Sequence, residues 1–236
     1  MAEARYKRIL LKLSGEAMKG DATGLYDYAI VDRICAAISE LVKNGVQVAI
    51  VVGAGNIWRG GRAGKKMDRT RADHMGMLGT AINALCLKDC LEHAGVDARV
   101  MTAVEMRTFA EPYVKDDAVR YLNEGKVVIF GCGTGSPYFS TDTAAVLRAA
   151  EIGAEAVLFA KNIDGVYTAD PKKDLTAKKL DEISYIDILK NDLKVMDLTA
   201  ASFSMDNKLT ILVFGLDDPQ NIIRVANGEA IGTVVK

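Results

Sequence analysis

Short runs dense in aliphatic and β-branched residues alternate along this chain with longer stretches of helical period. The runs at 8–13, 46–52, 98–102, 126–130, 156–160 and 209–214 predict strands, and the stretches at 27–43, 71–94, 116–123, 141–151, 184–190 and 219–227 predict helices. Strands that alternate with helices in this way predict a mainly parallel sheet covered by helices on both faces. No repeat, low-complexity linker or long charge block interrupts the series. A single continuous α/β domain is therefore expected, and 236 residues, half of them apolar, suffice to bury its core.

Charge narrows the function. The 30 Lys and Arg are matched by 31 Asp and Glu, so the overall field is not that of a nucleic-acid binder, and any grip on an anion is local. The first dozen residues carry Glu3, Arg5, Lys7 and Arg8, unlike the apolar core of a signal peptide, and no apolar run is long enough to span a bilayer. A cytoplasmic protein without membrane partners is expected. Cys35, Cys86, Cys90 and Cys132 form no CxxC pair and have no histidine cluster beside them, so they predict buried neutral thiols, not a metal site or disulfide framework.

Candidate chemistry sits where predicted strands end. Glycines gather at Ser14-Gly15, at Gly53-Ala54-Gly55 and at Gly133-Thr134-Gly135, and open α/β sheets bind ligands beyond the carboxyl ends of their strands. Such loops turn sharply or approach a ligand closely, and their N–H groups cradle phosphate. Two familiar phosphate motifs are excluded. GGRAGKK at 60–66 has a glycine spacing one residue short of a P-loop, and Lys66 stands where a Ser or Thr is required. GAGNIW at 53–58 places Trp58 where a dinucleotide fingerprint needs its third glycine. The catalytic triplets of protein kinases are absent too.

The segments KRILLKLSGEA at 7–17, GAGNIWRG at 53–60, ADHMGML at 72–78, GTGSPYFSTD at 133–142, DGVYTADP at 164–171 and LKVMDL at 193–198 together carry a resemblance. From Tyr6 to about Val235 the chain resembles the UMP kinases of the amino-acid kinase superfamily. The resemblance implies a single-domain three-layer αβα sandwich with a mainly parallel central sheet, and transfer of the γ-phosphoryl group of ATP to UMP. Such transfer asks for in-line positioning and charge neutralisation, with no general base for an acceptor that is already anionic.

By resemblance, Lys12, Arg59 and Lys161 neutralise the moving phosphoryl group, while Asp142 and Asp197 organise these cations. Asp142 has a second reading as a simple helix cap. The ATP site implied is Lys12, Leu13, Ser14, Gly15, Gly55, Arg59, Lys161, Asn162, Tyr167 and Asp170, the last also readable as turn chemistry before Pro171. The UMP site implied is Ala54, Asp73, Thr134, Gly135, Ser136, Pro137, Tyr138, Phe139, Ser140 and Thr141. No protein cage for a metal is implied; Mg²⁺ arrives with ATP. The resemblance further implies a homohexamer, activation by GTP and inhibition by UTP, with GDATGL at 20–25 where relatives carry a GTP-responsive loop. One departure is Gly53-Ala54-Gly55, where many relatives have three glycines, so either Ala54 takes a glycine-like conformation or the turn differs. Phosphorylation of a carboxylate or carbamate, and a non-catalytic regulatory role, are the competing readings.

Overall fold

The computed structural model describes residues 4–21, 23–58, 67–171, 173–191, 193 and 195–236. In chain order the first half runs β1 (Arg8–Leu13), α1 (Gly15–Lys19), α2 (Tyr28–Lys43), β2 (Gln47–Val52), α3 (Arg69–His93), β3 (Ala98–Thr102), β4 (Glu111–Pro112), α4 (Lys115–Asn123) and β5 (Val127–Gly131). The second half runs α5 (Thr141–Ile152), β6 (Ala156–Lys161), β7 (Val166–Tyr167), β8 (Lys179–Leu180), β9 (Glu182–Ile183), α6 (Tyr185–Lys190), α7 (Leu198–Asp206), β10 (Ile211–Gly215), α8 (Asn221–Ala226) and β11 (Thr233–Val235). Every predicted strand and helix is present with ends shifted by no more than a few residues. The short elements α1, β4, β7, β8, β9, α7 and β11 are additional.

Among the described residues, nine strands form one sheet in the order β4-β3-β5-β2-β1-β6-β10-β11-β9, while β7 and β8 form a separate two-stranded sheet. The run from β4 to β10 is parallel throughout; β11 lies antiparallel to β10. Helices cover both faces, which is why β2 and β5 read as near-continuous apolar runs without polar alternation and β1 does so up to Lys12. Alternate side chains of each strand enter different cores. Ile9, Leu11 and Leu13 pack with α2, α3 and α8, whereas Leu10, Val51, Phe130 and Phe159 pack with α4, α5, α6 and α7.

Side-chain caps fix where the helices begin. Asp27, Asp68, Ser140, Ser184 and Asp197 each accept N–H groups from the first turn of α2, α3, α5, α6 and α7. The α5 helix ends at Gly153 in the left-handed conformation, φ 66°.

Candidate active site

The carboxyl ends of β2, β1 and β6 lie side by side, because β1 pairs with β2 on one side and β6 on the other. The chain leaves β1 first toward β2 and fills the β6 side later, so the strand order reverses at β1. That reversal opens a crevice where open α/β sheets take ligands.

Two lysines converge there, and strand alternation dictates it. Lys12 shares the face of Leu10 on β1, and Lys161 shares the face of Phe159 on β6, with Lys12 in register with Phe159. Both ammonium groups thus point toward α5 and stand over the Phe159 ring, 5.9 Å and 5.2 Å from its centroid. Asp142 receives them with one oxygen each, Lys12 Nζ at 2.9 Å and Lys161 Nζ at 3.3 Å. Asp142 does not cap α5; Ser140 does, its Oγ accepting from the N–H groups of Asp142 and Thr143 at 3.0 and 3.1 Å. The aspartate is thereby left free for the lysines.

Burial pushes the Asp142 carboxyl up, but the charges and hydrogen bonds of Lys12 and Lys161 outweigh it and hold it below the usual carboxylate range. Lys161 moves below the ordinary lysine range, first through burial and then through the charge of Lys12, offset in part by Asp142 and Asp197. Asp197 caps α7 through the N–H of Ala200 at 2.9 Å and accepts from the hydroxyls of Ser140 and Thr143. It therefore meets the first turn of α5, and its charge favours the ammonium form of Lys161.

The first two glycine loops pack against each other. Gly53 N–H donates to the Leu13 carbonyl at 2.9 Å. A Cβ on Gly15 would stand 2.2 Å from Asn56 Oδ1 and 2.9 Å from Gly55 N, so only glycine allows this approach. Neither Gly53, Ala54 nor Gly55 has positive φ. The turn differs from a glycine-only one and Ala54 is unstrained in it. Ser14 spends its hydroxyl capping α1 at Ala17 N–H. In the third loop the left-handed region is used repeatedly, at Cys132, Gly133, Gly135 and Tyr138.

Two cavities open near this junction, one reached at Thr141, next to Asp142, and the other lined by Lys161; Lys12 lines neither. One of about 300 Å³ is lined by the predicted residues Ala54, Gly55, Asp73, Thr134, Ser136, Phe139, Ser140 and Thr141. The second, about 550 Å³, is lined by Lys161, Tyr167 and Asp170 together with Ile163, Lys173, Asn191 and Val195. Asn162 lines a neighbouring cavity with Glu16, Asp164 and Asp217. Gly135, Pro137 and Tyr138 belong to the third loop but do not line the smaller cavity, and Tyr138 is 66% exposed. Arg59 lies outside the described residues.

Several residues that sequence reasoning passed over shape these spaces. Arg69, at the start of α3, grips both Asp73 oxygens at 2.8 and 2.9 Å, and Asp73 also accepts the Tyr138 N–H at 2.8 Å. The i,i+4 spacing of Arg69 and Asp73 was a readable signal. Trp58, also in the smaller cavity, donates Nε1 to the Ala72 carbonyl at 2.8 Å. Asn83, fully buried on α3, donates to the Gly53 carbonyl at 2.7 Å and Asn56 Oδ1 at 2.8 Å and accepts from the Tyr26 hydroxyl at 2.9 Å. It pins the second glycine loop from beneath, and nothing in its sequence setting announces that. Burial raises the thiols of Cys35, Cys86, Cys90 and Cys132 alike; Cys35, Cys90 and Cys132 are buried as expected, whereas Cys86 is only partly so.

Residues 7–215 match the model of the amino acid kinase family. The crystal structure of a UMP kinase from Bacillus anthracis superposes with a TM-score of 0.95 at 39% identity, covering 98% of this chain and 96% of that one. A UMP kinase from Ureaplasma parvum gives 0.93 at 36% identity, covering 98% and 99%. A uridylate kinase from Archaeoglobus fulgidus gives 0.76 at 28% identity, covering 97% and 99%.

Proposed function

This chain belongs to the amino acid kinase family, and on that premise we propose that it transfers the γ-phosphoryl group of Mg-ATP to UMP, giving ADP and UDP for pyrimidine nucleotide synthesis. The observation that carries the reading is the junction itself: Lys12 and Lys161 converge on Asp142 at the strand-order reversal, with Lys161 lining the larger cavity and Thr141, next to Asp142, lining the smaller. The similarity to UMP kinases selects the acceptor.

In this reading ATP occupies the larger cavity, with its nucleoside near Tyr167 and Asp170, and its phosphates lie over Leu13, Ser14, Gly15 and Gly55. UMP occupies the smaller cavity, between Asp73 and the third loop. Lys12 and Lys161 stabilise charge as it moves from leaving to attacking oxygen. Asp142 aims both ammonium groups, and Asp197 sets the first turn of α5 that carries Asp142. Arg59 adds a third positive charge. Both Asp142 oxygens already face ammonium groups, which fits a Mg²⁺ that enters as the nucleotide's own counter-ion, held by phosphate oxygens and water. When bound, the ion supplies neutralisation of the phosphate charge. The proposal extends to a cytoplasmic homohexamer, activated by GTP and inhibited by UTP. No helix among the described residues is long and apolar enough to cross a membrane.

The test is ADP release from Mg-ATP with UMP, CMP, dUMP, AMP, acetylglutamate, aspartate or carbamate as acceptor, the product identified by chromatography. Turnover confined largely to UMP, with UDP formed, is expected. Turnover with a carboxylate or carbamate instead would reassign the smaller cavity, and no turnover with any acceptor would favour a regulatory protein.

A further inference from the structure

The two-stranded sheet of β7 and β8 supplies Val166 and Tyr167, with Gly165 just before them, to the wall of the larger cavity, yet it is not hydrogen-bonded strand to strand with the nine-stranded sheet. On one side β8 runs on through Asp181 into β9 of that sheet, and its side-chain attachment runs through β11. Thr233, only 1% exposed, accepts the Val166 N–H at 2.8 Å and donates its hydroxyl proton to the Leu180 carbonyl. Val166 and Leu180 are partners in register, so one hydroxyl engages both strands of the small sheet at a single rung. Thr233 in turn sits opposite Val213 of β10, and Val213 lines the same cavity.

Nearby geometry is built around this link. A Cβ on Gly165 would stand 2.8 Å from Thr233 Oγ1 and 2.7 Å from Lys179 Cε, so glycine is what allows the small sheet to close onto β11. Lys179 makes a second tie, its Nζ reaching the Ile231 carbonyl at 3.1 Å and Asp164 at 3.1 Å, while Asp164 accepts the Tyr167 hydroxyl at 2.8 Å. A strand position this buried would be served equally well in shape by valine; the hydroxyl is needed only because two backbone groups of another sheet depend on it.

We propose that Thr233 is a positioning residue for the donor nucleotide. It does not line the cavity; it fixes the rung from which Gly165 and Tyr167 face the nucleotide, and so sets donor affinity without touching donor, acceptor or the lysines. The proposal rests on the reading of the larger cavity as the ATP site.

The experiment is steady-state kinetics of full-length wild type, Thr233→Val and Thr233→Ser, with ATP and UMP varied in turn. Thr233→Val is expected to raise the KM for ATP roughly three- to ten-fold, the effect of losing one or two neutral hydrogen bonds. The KM for UMP and kcat at saturating ATP stay within about two-fold, and Thr233→Ser, which keeps the hydroxyl, stays close to wild type. A general loss of stability would not move one substrate's KM alone. If wild type turns over and Thr233→Val keeps the wild-type KM for ATP, or shifts both KM values equally, the proposal is overturned while the ATP site stands. If wild type fails to use ATP at all, the reading of the cavity falls and takes the proposal with it. Should Thr233→Val not fold, Thr233→Cys, whose thiol keeps the size but bonds far more weakly than a hydroxyl, takes its place, and an unchanged KM for ATP there overturns the proposal equally.

Discussion

Lys161 is the residue whose environment makes the sharpest demand on pH. Burial and the neighbouring Lys12 charge disfavour its ammonium form and lower its pKa, so rising pH strips its charge earlier than for a lysine in water. The alkaline limb of kcat/KM for ATP, which reports the free enzyme, is expected to fall below the ordinary lysine range. Lys161→Arg, always protonated, should flatten that limb even as it lowers the rate; a limb unmoved in this variant assigns it to another group. Asp142 has the opposite sign. Its folded pKa is depressed, so its contribution to stability is fully present above the unfolded value and is lost as pH falls through the folded one. Asp142→Asn leaves two partly buried ammonium groups facing each other and is expected to cost about 2–3 kcal/mol at neutral pH, discounted for residual exposure. Urea unfolding should show that gap closing once the pH falls below the depressed pKa; a gap independent of pH would mean packing, not charge. Lys12, Asp142 and Asp197 were legible because each stands in a motif at a strand or helix end. Asn83 was not, since a polar residue in mid-helix looks the same whether it faces water or holds a loop.

At the scale of elements, the third loop is held to α3 by Asp73, which grips Arg69 and the Tyr138 N–H together. Tyr138 has φ 71°, a conformation costly for a non-glycine residue, so the loop needs that grip. Asp73→Asn keeps the size and loses the charge, and is expected to raise the KM for UMP at least ten-fold while the KM for ATP stays within about two-fold. Equal effects on both substrates would show that Asp73 supports the whole fold and not the acceptor loop. The longer elements were legible because burial on both faces writes near-continuous apolar runs into β2 and β5, and into β1 up to Lys12, and helical period survives over the 16 residues of α2. Those missed are short. The two-residue strands β7 and β8 leave no period to read. The α1 helix spans five residues, from Gly15 to Lys19, and α7 is built from small residues such as Ala200, Ala201 and Ser204 packed inward. Each is held by capping and tertiary contact, not by pattern.

Across the whole molecule, alternation of strand and helix announces a parallel sheet but not the order of its strands. That β5 enters between β2 and β3, and that β6 lies on the far side of β1, depends on which helix faces match, and this order is what opens the crevice at Lys12. The same helix that carries Asp73 and Asn83 inward also presents Met75, Leu78 and Ile82 outward, 39%, 52% and 49% exposed. Their spacing of three and four residues lines them along one helical face. A stripe of this kind on a helix whose other face is already committed to the core suits self-complementary contact between copies of the chain, the kind of interface a closed assembly repeats. If the proposed homohexamer uses it, light scattering will give wild type the mass of six chains, and Leu78→Glu will lower that mass by placing charges against each other across each such contact. Residues lining the smaller cavity, Asp73 and Gly76 among them, are untouched by that change, so the dissociated variant should still bind UMP. A wild type that sediments as a single chain, or a Leu78→Glu assembly of unchanged mass, removes this helix face from any interface and leaves its apolar stripe simply in water.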